Sequence, residues 1–178
     1  MLRFDFDDSE IRKLAADLNA DDQQVKRAMN RALKRTAGTV RKRSSTGLQA
    51  ALGLRSATAL RRRIKEYRLG KGGNSVKLWY GVNDLPLSAF PGRAKQSADG
   101  MQVGGINIAG GFRIKGKSGI YVRTGRSRWD IREATVPIED KARVFIEDEV
   151  FAEIPEILMG NFVRELRAYT ILGVGNGR

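Results

Sequence analysis

The chain has 178 residues, of which 33 are Lys or Arg and 20 are Asp or Glu, so its net charge is +13 and its pI is about 10.5. The absence of cysteine excludes disulfides and thiolate chemistry, and the absence of histidine removes Ser-His-Asp catalysis and the commonest metal ligand. The positive charge favours an anionic partner. We expect no membrane span, because no apolar run approaches roughly 18 residues, and residues 1–8 are too acidic for a signal peptide.

Residues 1–21 are interpreted as an acidic N-terminal arm and helix. Phe4 and Phe6 alternate with aspartates, which is typical of a short edge strand. Asp7 and Glu10 have the spacing of a capping box before a short amphipathic helix that ends near Asn19.

The stretch from residue 22 to about residue 43 predicts one long helix with an apolar face and a cationic face. Asp21 and Gln24 have capping-box spacing at its start. We expect it to end between Arg43 and Gly47, because Arg43 would turn onto the apolar face. The apolar stripe consists of Val25, Ala28, Met29, Ala32, Leu33, Thr36 and Val40. The cationic face consists of Arg27, Arg31, Lys34 and Arg41.

A second basic helix is predicted within the basic region 22–69, with Ser56 as its cap. Residues 25–71 hold fifteen Lys and Arg against a single acid, Glu66, so this segment alone carries +14. The apolar positions of the second helix are Leu60, Ile64 and Tyr67, and its basic positions are Arg61, Arg62 and Arg63.

Residues 75–138 predict a central antiparallel sheet. After a Gly-rich turn at 70–74 the apolar period changes to two over 76–82, and short strands separated by Gly-rich turns follow as a meander over 101–139. The polar residues 93–100 are predicted to be a mobile loop. The long helix is expected to lie on this sheet, and the pattern leaves open whether the sheet closes into a barrel.

Residues 139–172 predict two C-terminal helices separated by a break or kink at Pro155, and residues 173–178 predict a flexible tail. Helices, then an antiparallel sheet, then helices define the α+β class. At this length we expect a single domain over residues 1–172.

No group of residues indicates an enzyme, a metal or a cofactor. Gly104-Gly105 and Gly110-Gly111 have turn chemistry and lack a phosphate-loop signature. The three acids at 147–149 point in different directions on a helix, which favours a solvated face over a cation site. We therefore predict no catalytic residue, no bound metal and no cofactor.

The basic segment is the strongest functional signal. Opposing acids at helical spacing are nearly absent, so a polyanionic or acidic partner is favoured over a merely solvated face. Base-specific recognition is not predicted, because no known DNA-binding motif is present and the aromatic residues are not interleaved with the basic run.

Several short motifs also follow one another in a characteristic order over residues 25–170. They are Ala28-Met29-Asn30-Arg31-Ala32, the basic stretch 60–65, Asp84-Leu85-Pro86-Leu87, Gly111-Phe112, Tyr121-Val122-Arg123 with Gly125-Arg126, and Val136-Pro137-Ile138. In order and spacing the chain resembles the minor tail protein Z family, the tail-completion proteins of long-tailed bacteriophages and prophages. The acidic N-terminus and residues 93–100 lie outside this resemblance.

The resemblance implies a structural virion protein at the head-proximal end of the tail, assembled in the host cytoplasm, and not an enzyme. It implies the tail terminator and the head–tail connector as partners and, by analogy with neighbouring neck proteins, a homo-oligomeric, hexameric ring around the DNA channel. A basic face would then contact phage DNA without reading bases, or dock on an acidic neighbouring ring. The residues hypothesised for this face are Arg27, Arg31, Lys34, Arg41, Arg61, Arg62 and Arg63. Those hypothesised for subunit contacts are Arg93, Lys95, Arg126 and Arg128.

The competing interpretation is a free-standing nucleic-acid-binding protein. Such a protein would bind DNA or RNA as an isolated monomer with a steep salt dependence. A tail-completion protein would bind weakly, or not at all, before assembly. An enzyme would require a pair of carboxylates brought together by the fold.

Overall fold

The computed structural model describes residues 8–68, 75–117 and 119–173, and these have the α+β fold that the sequence predicts. The predicted N-terminal edge strand, the turn at 70–74 and most of the tail lie outside the described residues. The helices are α1 (Asp8–Asp17), α2 (Asp22–Ala51), α3 (Thr58–Arg61), α4 (Glu139–Phe145) and α5 (Phe151–Thr170), with a 3-10 helix at Leu87–Ala89 and a π-helix at Ile146–Val150. The strands are β1 (Ile64–Arg68), β2 (Val76–Tyr80), β3 (Leu85–Pro86), β4 (Lys95–Ser97), β5 (Gly100–Val103), β6 (Ile106–Ala109), β7 (Phe112–Arg113), β8 (Ile120–Arg123), β9 (Ile131–Glu133) and β10 (Thr135–Val136).

The chain divides into two compact units. The first, here called the helical unit, contains the described parts of Met1–Ser44, Ile64–Trp79 and Glu147–Arg178. The second, here called the sheet unit, contains the described parts of Ser45–Arg63 and Tyr80–Ile146.

The start of α2 is fixed by the predicted capping box. The backbone N–H of Gln24 donates to Asp21 Oδ1 at 2.7 Å, and the backbone N–H of Asp21 donates to Gln24 Oε1 at 3.0 Å. Two N–H groups without an intrahelical partner are thereby satisfied, so α2 begins at Asp22.

The predicted end of α2 was wrong, because the helix continues to Ala51. Arg43, expected to end it by turning inward, forms an ion pair with Glu153 at 2.5 Å. Ser44 is buried within the helix and its hydroxyl donates to the carbonyl of Val40 at 2.7 Å. Gly47 does not terminate the helix either. It lies against Phe145, and a Cβ at this position would overlap the ring of that residue.

This contact predicts opposite effects for two glycines of the same helix. Gly38→Ala is expected to raise the free energy of unfolding by about 0.5–1 kcal/mol, because alanine is the better helix former and nothing lies within 4 Å of the new methyl group. Gly47→Ala is expected to lower it by roughly 1–3 kcal/mol through the clash with Phe145. Urea unfolding checks the signs, and Phe145→Leu should restore much of the loss. A gain in stability for Gly47→Ala would contradict the argument.

In the helical unit the apolar stripe of α2 packs on α5, a partner that the sequence interpretation did not name. In the helical unit, Ala28 and Ala32 form one buried cluster with four residues of α5, while Val25, Met29 and Leu33 pack against it. The four residues of α5 recur at helical spacing and give a continuous apolar face, against which alanines allow a close approach. They are Leu158, Phe162, Leu166 and Tyr169.

Pro155 does not end the C-terminal helix, contrary to the prediction, and lies inside α5. The five-residue π-helix Ile146–Val150 comes directly before α5. The change of winding between α4 and α5 therefore ends at Val150, five residues before the proline.

The predicted meander consists of small separate sheets, and among the described strands there is no closed barrel. Within the sheet unit, antiparallel pairing joins β4, β5 and β6, joins β7, β8 and β9, and joins β10 to β3. Residues 93–100, predicted as a loop, contain strand β4, in which Lys95 pairs with Gln102. The strand was missed because it is a polar edge strand, and such a strand shows no apolar alternation.

The second basic helix is much shorter than predicted. It covers only Thr58–Arg61, after a turn in which the N–H of Thr58 donates to Ser56 Oγ at 3.4 Å. Ile64 and Tyr67 lie in β1, which pairs with the correctly predicted strand β2. Their spacing fits a helix, but pairing with another strand decided the outcome.

Candidate anion-binding surface

Three cations form a straight row along the exposed side of α2. Arg27, Lys34 and Arg41 are seven residues apart, so consecutive members are about 10.5 Å apart along the axis and turn by only about 20°. All three are exposed. Arg27 donates to Gln23 at 3.5 Å, and the side chains of Lys34 and Arg41 have no hydrogen-bond or ion-pair partner in the described part of the chain. We call these three residues the cation row.

Arg31 was predicted for the same surface, but it interacts with α5. Its Nη1 lies 3.7 Å from Glu165 Oε2 and donates to the hydroxyl of Tyr169 at 3.3 Å, and its guanidinium lies 5.7 Å from the centre of that ring. Arg35 Nε binds Glu165 Oε1 at 2.6 Å. Only 3% of the Glu165 side chain is exposed, so the two arginines neutralise one buried carboxylate. Their charge is therefore less available to an outside partner.

The Arg35–Glu165 pair was missed by the sequence interpretation, although a signal was present. Glu165 lies three residues after Phe162 and four before Tyr169, so helical spacing places it on the apolar face of α5. A carboxylate in that position requires a cationic partner.

The three predicted arginines 61–63 belong to the sheet unit, and the other four predicted residues belong to the helical unit. Arg61 and Arg62 are exposed. Arg63 donates from Nη1 to the carbonyl of Asn83 and from Nη2 to the carbonyl of Asp84 at 3.0 Å. Arg63 therefore anchors the turn after β2, whereas the side chains of Arg61 and Arg62 have no hydrogen-bond or ion-pair partner among the residues that the structure describes.

The residues predicted for subunit contacts, Arg93, Lys95, Arg126 and Arg128, are all exposed in the sheet unit. Arg128 lies 5.3 Å from the ring of its neighbour Trp129, whose side chain is 78% exposed at the turn between β8 and β9. Exposure of such a large aromatic side chain is compatible with a contact surface.

Three cations lie close to aromatic rings in the strands and turns of the β7–β8–β9 sheet. Besides Arg128 on Trp129, Lys117 lies 5.4 Å from the ring of Tyr121, and Arg123 lies 5.6 Å from the ring of Phe112. Phe112 and Tyr121 are direct cross-strand partners and share one face. The sequence interpretation missed these pairs because it searched for aromatic residues only within the basic run at 25–71.

Other kinds of site have little support in the described residues. No group of three or more of these residues with His, Cys, Asp or Glu side chains is placed to hold a metal ion. The acids Glu147, Asp148 and Glu149 are all exposed. No helix in the described ranges has the length and apolar character needed to cross a membrane.

The fold and its exposed charges thus define an α+β chain with a long basic helix. No protein-family model, no curated protein and no solved structure matches this chain. The resemblance to the tail-completion proteins therefore rests on the sequence motifs, and it stays a prediction.

Proposed function

We propose that this protein is a structural component of a phage tail, of the tail-completion type, and not an enzyme. It would assemble as a homo-oligomeric ring at the head-proximal end of the tail, between the tail terminator and the head–tail connector. The sequence motifs suggest this setting. The observation that carries the proposed anionic contact is the cation row, which is exposed and has no acidic partner among the described residues.

The cation row suits contact with a moving polyanion. Long flexible Lys and Arg side chains bind phosphates without recognising bases, so the DNA remains free to slide. A row of about 21 Å, the length of fourteen helical residues, spans several phosphates of one strand. In this proposal Arg31 positions α5 and contributes little to the DNA contact, because Glu165 already neutralises it.

A second candidate function, a free-standing nucleic-acid-binding protein, is favoured by the β7–β8–β9 sheet. Exposed Trp129 beside Arg128 offers one ring for base stacking next to one cation for a phosphate. This combination is typical of surfaces that bind single-stranded nucleic acid.

The native mass of the purified protein distinguishes the two functions. It would be measured at low and high salt, with and without double-stranded and single-stranded DNA. A closed oligomer that persists at high salt supports the tail-completion proposal. A monomer that binds DNA tightly at low salt and releases it steeply supports the alternative. A monomer that does not bind DNA contradicts the alternative. The tail-completion proposal would then require that the protein assembles only on the end of the tail, which acts as its template.

Neutralising the cation row is expected to flatten the salt dependence of DNA binding, whether the oligomer or the monomer is the form that binds DNA. Arg27→Gln, Lys34→Gln and Arg41→Gln together remove up to three phosphate contacts, which lowers the log–log slope by about 2.7. The difference corresponds to roughly a fortyfold change in affinity between 50 and 200 mM salt. Fluorescence anisotropy with a labelled duplex measures both slopes.

The matched control for this variant removes the same charge from the helical unit at other exposed positions. Arg12→Gln, Lys13→Gln and Arg167→Gln serve this purpose. If the control flattens the slope as much as the row variant does, the DNA contact depends on net charge alone and the row has no special role.

A further inference from the structure

A pocket in the sheet unit combines three arginines with an apolar floor. It is open to solvent and has a volume of about 360 Å³, and no carboxylate is among the described residues that line it. Arg55 follows α2, Arg93 precedes β4, and Arg113 lies in β7, so three separate segments bring positive charge to one place. The floor is formed by Leu87, Phe90, Val103 and Ile120, all of which are buried.

The positive charge of this pocket is largely uncompensated. Arg55 Nη2 donates to the carbonyl of Phe90 at 3.3 Å, which satisfies part of one guanidinium. The side chains of Arg93 and Arg113 have no hydrogen-bond or ion-pair partner within the described ranges. The carboxylate nearest in the hydrogen-bond network is Glu133, which accepts from the hydroxyl of Ser88 at 2.7 Å and lies against Gly119, outside the lining.

We propose that this pocket binds a phosphate monoester with a small apolar organic group. A guanidinium presents a planar pair of donors that matches phosphate oxygens, and the two unpartnered guanidiniums, of Arg93 and Arg113, balance a dianion better than a monoanion. A phosphate monoester carries about −1.5 to −2 charges near pH 7. The buried apolar floor selects the organic group, and the volume lies at the small end of ligand pockets. This site is independent of the cation row and of the proposed tail function.

Titration calorimetry on the full chain at pH 7.5 tests the proposal with phenyl phosphate as the probe. Benzenesulfonate is the monoanionic control, benzyl alcohol the neutral control, and inorganic phosphate the control without an organic group. Phenyl phosphate is expected to bind at least tenfold more tightly than each of them. Equal affinity for phenyl phosphate and benzenesulfonate, or for phenyl phosphate and inorganic phosphate, would overturn the proposal.

The pH dependence separates a dianion from a monoanion. A phosphate monoester loses its second proton with a pKa of about 6. Lowering the pH from 7.5 to 5.5 therefore reduces the fraction of dianion, and hence the apparent affinity, about fourfold. Benzenesulfonate does not titrate in this range, so its binding reports any effect of pH on the protein itself. A parallel change for both ligands would contradict recognition of the dianion.

Variants locate the site. Arg93→Gln and Arg113→Gln are each expected to weaken phenyl phosphate binding at least tenfold, whereas Arg132→Gln, an exposed arginine of β9 outside the pocket, should leave it unchanged. Equal losses in all three variants would show non-specific attraction and overturn the proposal. Thermal unfolding identifies a variant that fails to fold, and the ligand comparison on the unaltered chain then decides alone.

Discussion

Phe162→Ala is expected to lower the free energy of unfolding of the helical unit by about 3–5 kcal/mol. Phe162 is 1% exposed and belongs to the buried cluster that joins α2 and α5. The facing residues of α2 are Ala28 and Ala32, whose methyl groups cannot move to fill the space. The cavity therefore stays open, and its cost adds to the lost transfer free energy.

Urea unfolding followed by far-UV circular dichroism measures this loss. Phe162→Leu is the matched control, since it keeps the site apolar and most of its volume, and it should cost less than half as much. A loss below about 1 kcal/mol for the alanine variant would show that α5 does not pack on α2 as described.

Arg35→Met is expected to cost about 2–4 kcal/mol, although its side chain is half exposed and the full effect of a buried pair is therefore reduced. Methionine retains the apolar stem but leaves Glu165 buried, with its remaining cation, Arg31, at 3.7 Å. Glu165→Gln should cost less, about 1–2 kcal/mol, because the two arginines that it leaves are half exposed and can turn to water. The larger effect therefore comes from removing the more exposed partner.

The control for the unequal costs of Arg35→Met and Glu165→Gln is the ion pair between Arg43 and Glu153, in which both side chains are at least half exposed. Arg43→Met is expected to change the unfolding free energy by less than about 1 kcal/mol. Thermal and urea unfolding of the three variants give the order. If Glu165→Gln proves more damaging than Arg35→Met, the carboxylate is better solvated than its 3% exposure indicates.

Local chemistry made the start of α2 predictable, because Asp21 and Gln24 are three residues apart and interact directly. Its end depends on residues distant in sequence. Gly47 accommodates Phe145, and Glu153 neutralises Arg43. Neither partner can be inferred from the helix itself, so residues that usually terminate a helix were misread.

The candidate anion-binding surface was likewise predictable where it depends on local spacing and unpredictable where it depends on contacts distant in sequence. The cation row was predictable from its spacing, since a straight helix keeps residues seven apart on one side. Arg31 and Arg63 lie in the same basic segment and were predicted for the same surface. In the fold, however, Arg31 binds a buried carboxylate and Arg63 binds two backbone carbonyls. Which cations remain free is decided by tertiary contacts, and a sequence pattern does not contain them.

Most buried positions of α2 in the helical unit recur every four residues, at Ala28, Ala32, Thr36, Val40 and Ser44, and Ala37 is buried next to Thr36. Each step of four turns the buried side by about 40° around the axis. A change in helix length is therefore far more disruptive than a change of side chain. Deleting one residue near Arg35 would rotate all later positions by about 100°, exposing Val40 and Ser44 and carrying Arg41 out of the cation row. We expect this helix to tolerate substitutions on its outer side while rejecting insertions and deletions.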